Sequence, residues 1–134
     1  MPYDDAAEHE QVLADVFARG CPSRDVLEHV TGRWGILALA ALASGPARFN
    51  ALRRRVDGVS EKMLSQTLHA LERDGFVRRD EQSTIPPRVE YSLTDRGDRT
   101  TKLLLALIDQ VEADLPEAAE SQRRYDEARA GRQG

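Results

Sequence analysis

Lys62, Ser65, Gln66, His69 and Arg73 recur at three- and four-residue spacing, the repeat of one helix face. Their chemistry is hydrogen bonding to a patterned, anionic surface. Lys62 and Arg73 carry the charge that meets a phosphate oxygen. Ser65, Gln66 and His69 are donor–acceptor groups, and glutamine pairs with adenine through two bonds at once. Ser60 stands just ahead, where a helix start leaves backbone N–H groups free for an anion. Upstream lie Arg48, Asn50, Arg53 and Arg54, with Arg55 completing an unbroken triplet. Downstream lie Thr84 and Arg88. Taken singly, a polar helix face or an arginine run is more often a solvated surface, and His69 is as readily a plain surface residue as a base contact. Their order along the chain is what argues for more.

That order needs a scaffold. Leu64, Leu68 and Leu71 form the inward stripe of a helix over about 60–74, capped by Ser60 and closed by Gly75. Phe49 to Val56 is a short amphipathic helix with Phe49, Leu52 and Val56 inward, and Asp57-Gly58 is a turn. Phe76–Glu81 and Arg88–Leu93 read as two strands; in the second, Val89, Tyr91 and Leu93 alternate with Arg88, Glu90 and Ser92. The connector ends in Pro86-Pro87, which cannot lie in a central strand. Trp34 to Ala43 is apolar almost all round and reads as a central buried helix, with Trp34 and Tyr91 as core packing. Ser23 is expected to cap a short helix ending at Gly32. Residues 4–19 are helix-friendly, with Val12, Leu13, Val16 and Phe17 as a narrow stripe. Thr94 caps a long helix to about Leu115, Pro116 interrupts it, and a polar helical tail follows. The expected fold is mainly α with a small β-hairpin wing: a winged helix-turn-helix, dimeric through its terminal helices. Residues 1–20 form an N-terminal dimerisation helix, 21–93 the winged helix-turn-helix, and 94–134 a dimerisation helix and tail.

Net charge is −4, which at first sight disfavours a polyanion. The distribution matters more. Residues 1–28 hold two basic and seven acidic side chains, residues 29–108 thirteen and nine, and residues 109–134 four and seven. Acidic ends bracket a basic middle, and local field decides where nucleic acid docks. With 40% hydrophobic and 31% charged residues over 134 positions, one folded domain is expected. No apolar run is long enough to span a membrane, and the acidic start lacks a secretory pattern, so the expected location is the cytoplasm. His9, His29 and His69 lie far apart, without triad or metal-ligand spacing, and no glycine-rich phosphate loop occurs. No enzyme, metal or cofactor is expected. A winged-helix protein-interaction module without DNA binding is the alternative kept open by the modest charge.

Several motifs stand together in one order: Cys21-Pro22, Gly32-Arg33-Trp34, Gly45-Pro46, Arg48-Phe49-Asn50-Ala51-Leu52-Arg53, Ser60-Glu61-Lys62-Met63-Leu64-Ser65-Gln66, Leu71-Glu72-Arg73-Asp74-Gly75 and Pro86-Pro87-Arg88-Val89-Glu90-Tyr91-Ser92-Leu93-Thr94. Over roughly residues 21–115 the chain resembles the HxlR-type winged helix-turn-helix transcriptional regulators of the MarR-like superfamily. The resemblance implies a homodimer on a pseudo-palindromic double-stranded DNA operator and a small-molecule or oxidant inducer; a repressor is the expectation, with an activator as the alternative. It also implies that Cys21 is a redox or electrophile sensor. Thr67 and His69 stand where basic residues are frequent in that family, which implies weaker electrostatics at the operator.

Cys21 is the one cysteine, so no intramolecular disulfide can form. A helix start and nearby Arg24 favour an anion, hence a thiolate; the alternative is a small buried hydrophobe. For the dimer, Val12, Val16, Leu104, Ile108, Val111 and Leu115 are the interface candidates, with packing inside one chain as the alternative.

Overall fold

The structure, a computed structural model, describes residues 15–133. Two compact units divide after Thr101. The first holds helix α1 (Pro22–Thr31), α2 (Arg33–Leu42), strand β1 (Ala47–Arg48), α3 (Phe49–Arg55), α4 (Glu61–Arg73), β2 (Val77–Gln82), β3 (Arg88–Leu93) and the first turns of α5 (Asp95–Ala113). The second holds the rest of α5 and α6 (Leu115–Gln133).

The core of the first unit gathers around α2. Ala38, Leu39 and Leu42 from α2 are buried with Leu52 of α3 and with Leu64, Leu68 and Leu71 of α4. The apolar all-round sequence of α2 is explained by its neighbours: it packs against α1, α3, α4 and β3. The α4 leucines sit at four- and three-residue intervals, so one side of that helix is wholly internal and the other is left outside. Their burial is worth roughly 2 kcal/mol each.

Ser60 caps α4 as expected: its Oγ accepts from the Met63 N–H at 3.1 Å. At the other end Gly75 adopts φ +84, the left-handed conformation that ends a helix. Thr94 closes this corner. Its hydroxyl donates to the Gly75 carbonyl at 2.6 Å and accepts from the Gly97 N–H at 3.0 Å. A Cβ at Gly97 would stand 1.9 Å from the Phe76 carbonyl oxygen, so only glycine lets the start of α5 approach so closely.

The three strands form one antiparallel sheet in the order β1-β3-β2. β1, unanticipated from sequence, pairs Ala47 with Tyr91 and Arg48 with Glu90. It makes β3 the central strand. The expected alternation along β3 is absent for that reason, and Val89 to Leu93 are all half-buried. β2 begins at Val77 rather than Phe76, because the Phe76 N–H is held by the Leu71 carbonyl at 2.9 Å.

Two further expectations are corrected. Ser23 does not cap α1: Cys21 occupies the cap position and Pro22 the first turn, where a missing N–H costs nothing. Residues 15–20 form turns, not helix, with i→i+3 bonds Ala18 to Asp15 and Cys21 to Ala18, and Phe17 is exposed. Residues 4–14, Val12 among them, lie outside the described residues. In the second unit the expected interruption is present: α5 ends at Ala113, Asp114 is a turn, and Pro116 sits in the first turn of α6. α6 is almost wholly exposed and is laced by Glu120 with Arg123 and Arg124, and by Arg123 with Glu127. Hydrogen bonds from Arg123 and then Arg124 hold the Glu120 carboxyl below its ordinary value, and those that Arg123 donates to Glu120 and Glu127 raise its own.

Candidate nucleic-acid interface

Burial of Leu64, Leu68 and Leu71 turns the other side of α4 outward. Lys62, Gln66, His69 and Arg73 lie there in a single stripe about 16 Å long, with Ser65 at its edge. All five are exposed, as is Ser60 at the helix start. A rigid cylinder with an uncovered polar edge of this length matches the major groove in width. Ser60 itself spends its oxygen on the Met63 N–H, so one of the helix-start donors it was expected to leave for an anion is already satisfied.

On the side of β1 and the hairpin, Arg48, Asn50 and Arg54 meet Pro86, Pro87 and Arg88 around an open cleft of about 780 Å³. Pairing of β1 with β3 is what brings these two stretches, far apart in sequence, to one surface. Arg53 lies apart from that cleft. Its guanidinium donates to Glu61 Oε1 at 3.1 Å, across from α3 to the start of α4, with both groups exposed. Thr84 donates its hydroxyl to the Pro86 carbonyl at 2.8 Å, which shapes the wing tip. The twelve side chains expected at a nucleic-acid surface are thus all exposed, on α4, on β1–α3 and on the wing.

Two features of this surface were missed from sequence. Ile85 projects fully exposed at the wing tip, an apolar group of the type that wedges into a minor groove. Its signal was available: an isolated apolar residue between Ser83-Thr84 and two prolines. Arg79, opposite Tyr91 in the β2–β3 register, has its pKa raised mainly by a hydrogen bond from its side chain to Tyr91.

Residues 29–119 match the family described as HxlR-like helix-turn-helix. The chain belongs to the HxlR family. It is a sequence-specific, DNA-binding helix-turn-helix regulator of transcription. It is 54% identical over 103 residues to the HTH-type transcriptional regulator YtfH of Escherichia coli, covering 77% of this chain and 82% of that one. The solved structure of the ytfH protein from Salmonella typhimurium is 50% identical, with TM-score 0.77 over 81% of this chain and 97% of that one. The redox regulator HypR, solved in its oxidised form, is 33% identical, with TM-score 0.64 over 69% and 96%.

In this HxlR protein Cys21 is buried, at 5% exposure, and its Sγ lies 2.9 Å from Ser23 Oγ. Arg24 reaches back to the Phe17 carbonyl at 3.5 Å. At the far end of the same helix, His29 Nδ1 meets Asp74 Oδ2 at 2.5 Å, and Asp74 is the residue that ends α4. No helix among the described residues is long and apolar enough to cross a membrane, and no cluster of three or more His, Cys, Asp or Glu side chains occurs there.

The interface candidates divide. Leu104 is buried at 6%, so its side chain is already covered within one chain. Val16 and Ile108 are half-buried, and Val111 and Leu115 are exposed. Leu103 and Leu107 are exposed too, at four-residue spacing with Val111 and Leu115.

Proposed function

We propose that this HxlR regulator is a homodimeric repressor that lays α4 of each protomer into successive major grooves of a pseudo-palindromic operator. The wing grips the adjacent backbone through Arg88, with Thr84 shaping the tip. Lys62, Arg73, Arg48, Arg53 and Arg54 contact phosphates, and Ser65, Gln66, His69 and Asn50 read base edges or position the helix beside them. The observation that supports this most is the uncovered polar stripe opposite the leucines of α4. Two copies place their stripes about 34 Å apart, one turn of the duplex. The exposed row Leu103, Leu107, Val111 and Leu115 is the apolar surface proposed to join the copies.

Cys21 is the proposed sensor of oxidants or electrophiles. HypR, a redox regulator by its description, is a relative of this chain. A buried thiol has no room for an adduct, so modification displaces the Pro22 end of α1. The His29–Asp74 contact at the other end passes that displacement to the end of α4. With one cysteine per chain, oxidation ends in a disulfide to the partner's cysteine or to a small thiol, the oxidant taking up the two electrons.

A gel-shift titration against the DNA upstream of the protein's own gene, with and without diamide, tests both parts. A salt-sensitive complex released by diamide from the wild type but not from Cys21→Ser is the expected result. Equal release from Cys21→Ser refutes the sensor, and no complex at low salt refutes the operator reading.

A further inference from the structure

The corner where α4 gives way to β2, and β3 to α5, carries a concentration of charge that the DNA-reading face does not use. Arg78, Arg96 and Arg99 line an open cleft of about 540 Å³ with Gly75, Thr94 and Asp95. The cleft wall is mainly polar, and three guanidinium groups stand there against one carboxylate. Arg96 is anchored: it donates to the Asp74 carbonyl at 2.9 Å. That leaves most of its five N–H donors unused. Among the described residues neither the Arg78 nor the Arg99 side chain enters an ion pair or hydrogen bond. The two come from different elements, β2 and the first turns of α5, so the chain itself draws like charges together around an open space. Such an arrangement is unfavourable until an anion fills it. Guanidinium forks match phosphate oxygens in geometry, two bonds at a time. The volume falls in the range of small-ligand clefts, and the polar wall selects against an apolar occupant.

Position argues against the operator as the source of that anion. The cleft lies at the Gly75 end of α4, roughly 20 Å along the axis from Ser60. Arg78 pairs with Ser92 at the base of the wing, about 13 Å from the Gln82–Arg88 pair near the tip. It is therefore remote from the helix start and the wing tip, to which the proposed backbone contacts belong except Arg73, the one that stands at this end of α4.

We propose that the Arg78, Arg96 and Arg99 cleft binds the phosphate group of a small free ligand. An occupant spanning Arg78 and Arg99 braces β2 against α5 across the corner that ends α4.

The test titrates pyrophosphate into the full-length protein by calorimetry, at ionic strength held constant with sodium chloride. Saturable binding of one pyrophosphate per chain is expected. Arg78→Ala/Arg99→Ala, both exposed positions, should weaken it at least tenfold with an unchanged circular dichroism spectrum. The milder pair Arg78→Gln/Arg99→Gln gives the same answer if the alanine pair folds poorly. Arg54→Ala, on the wing-side cleft, should leave pyrophosphate binding intact. Absence of binding to the wild type overturns the proposal, as does equal binding by the double variants. Loss in Arg54→Ala as great as in the double variants also overturns it, because the anion is then sampling any cationic surface. The double variants should bind duplex DNA with the wild-type salt dependence. If that dependence flattens while the wild type ignores pyrophosphate, the cleft is a DNA backbone contact and the proposal fails.

Discussion

Replacing Lys62 with alanine and, separately, Gln66 with alanine should separate the two kinds of work assigned to α4. Both side chains are exposed on the same stripe one helical turn apart, so neither change disturbs the leucines beneath. Six cations stand on the proposed face of each protomer: Arg48, Arg53, Arg54, Lys62, Arg73 and Arg88. If all twelve of a dimer met phosphates, log K would fall with log salt at a slope of about −11, the steepest the surface allows. Lys62→Ala removes two contacts from the dimer and should flatten the slope by about 1.8. Between about 50 and 200 mM salt the gap between wild type and variant should then shrink about tenfold, and the loss should be the same on every DNA sequence. Gln66→Ala should leave the slope alone. It should cost about 1–3 kcal/mol at one position of each half-site and nothing elsewhere. Fluorescence anisotropy on operator, point-changed operator and unrelated duplex, each at four salt concentrations, reads both quantities. A flattening of about 0.9 instead of 1.8 reports a monomer on the DNA. Parallel salt plots for wild type and Lys62→Ala, or a uniform loss from Gln66→Ala, refute the roles given to those residues.

Three further outcomes are expected. Gly97→Ala places a Cβ 1.9 Å from the Phe76 carbonyl oxygen, and urea unfolding should show a loss of about 2 kcal/mol or more with an unchanged slope. Leu107→Asp/Val111→Asp puts charge on the exposed stripe of α5; sedimentation at micromolar concentration should show a monomer, and a persisting dimer places the interface elsewhere. The Glu120 carboxyl is held below its ordinary 4.5 by Arg123 and Arg124. A lowered folded value means the support is complete above about pH 4.5 and is lost as pH falls through the lowered value. The helical ellipticity of the wild type should therefore decline over that acid range, and Glu120→Gln should remove that component.

What the sequence revealed and what it hid follow from the range of the signals involved. α4 was legible because Leu64, Leu68 and Leu71 repeat at helical spacing and Ser60 offers a cap; both are local. The Thr94 cap was legible in the same way. β1 was not, because two residues have no period and the strand exists only through its pairing with β3. That missing strand also spoiled the expected alternation of β3, which is half-buried along Val89 to Leu93 once it is central. α1 starts ahead of the Ser23 cap that its side chain suggests, because a proline is admissible in a first turn and Pro22 opens the helix. The apolar run Leu103 to Ile108 is hydrophobic nearly all round, so no periodicity could choose between the face of Leu104 and that of Leu107. The twelve nucleic-acid candidates were legible as types, but the meeting of Arg48 and Arg54 with Arg88 depends on the sheet.

The two ends of α4 are held by unlike means, and the difference bears on how it reads DNA. At its C-terminal end Asp74 binds His29 through its carboxylate and Arg96 through its carbonyl, while Thr94 holds the Gly75 carbonyl. The His29 and Thr94 bonds are part-buried, so salt weakens them little. At the N-terminal end the links are the Ser60 cap and the Arg53–Glu61 pair, the latter exposed and worth about 0–1 kcal/mol. A phosphate arriving beside Arg53 can therefore take its guanidinium from Glu61 at little cost, while the cap and the leucines keep the helix straight. The half of α4 that carries Lys62, Ser65 and Gln66 is the half whose electrostatic tether is exchangeable. The half tied to α1 and α5 is fixed, and that is where a displacement begun at Cys21 must arrive if it is to change the angle at which the helix enters the groove. Asp74→Asn should keep the corner folded through its carbonyl but weaken the tie to His29, and it should blunt the diamide response of the wild type while leaving operator binding in reducing conditions intact. A full diamide response in Asp74→Asn would mean that the displacement travels by another route.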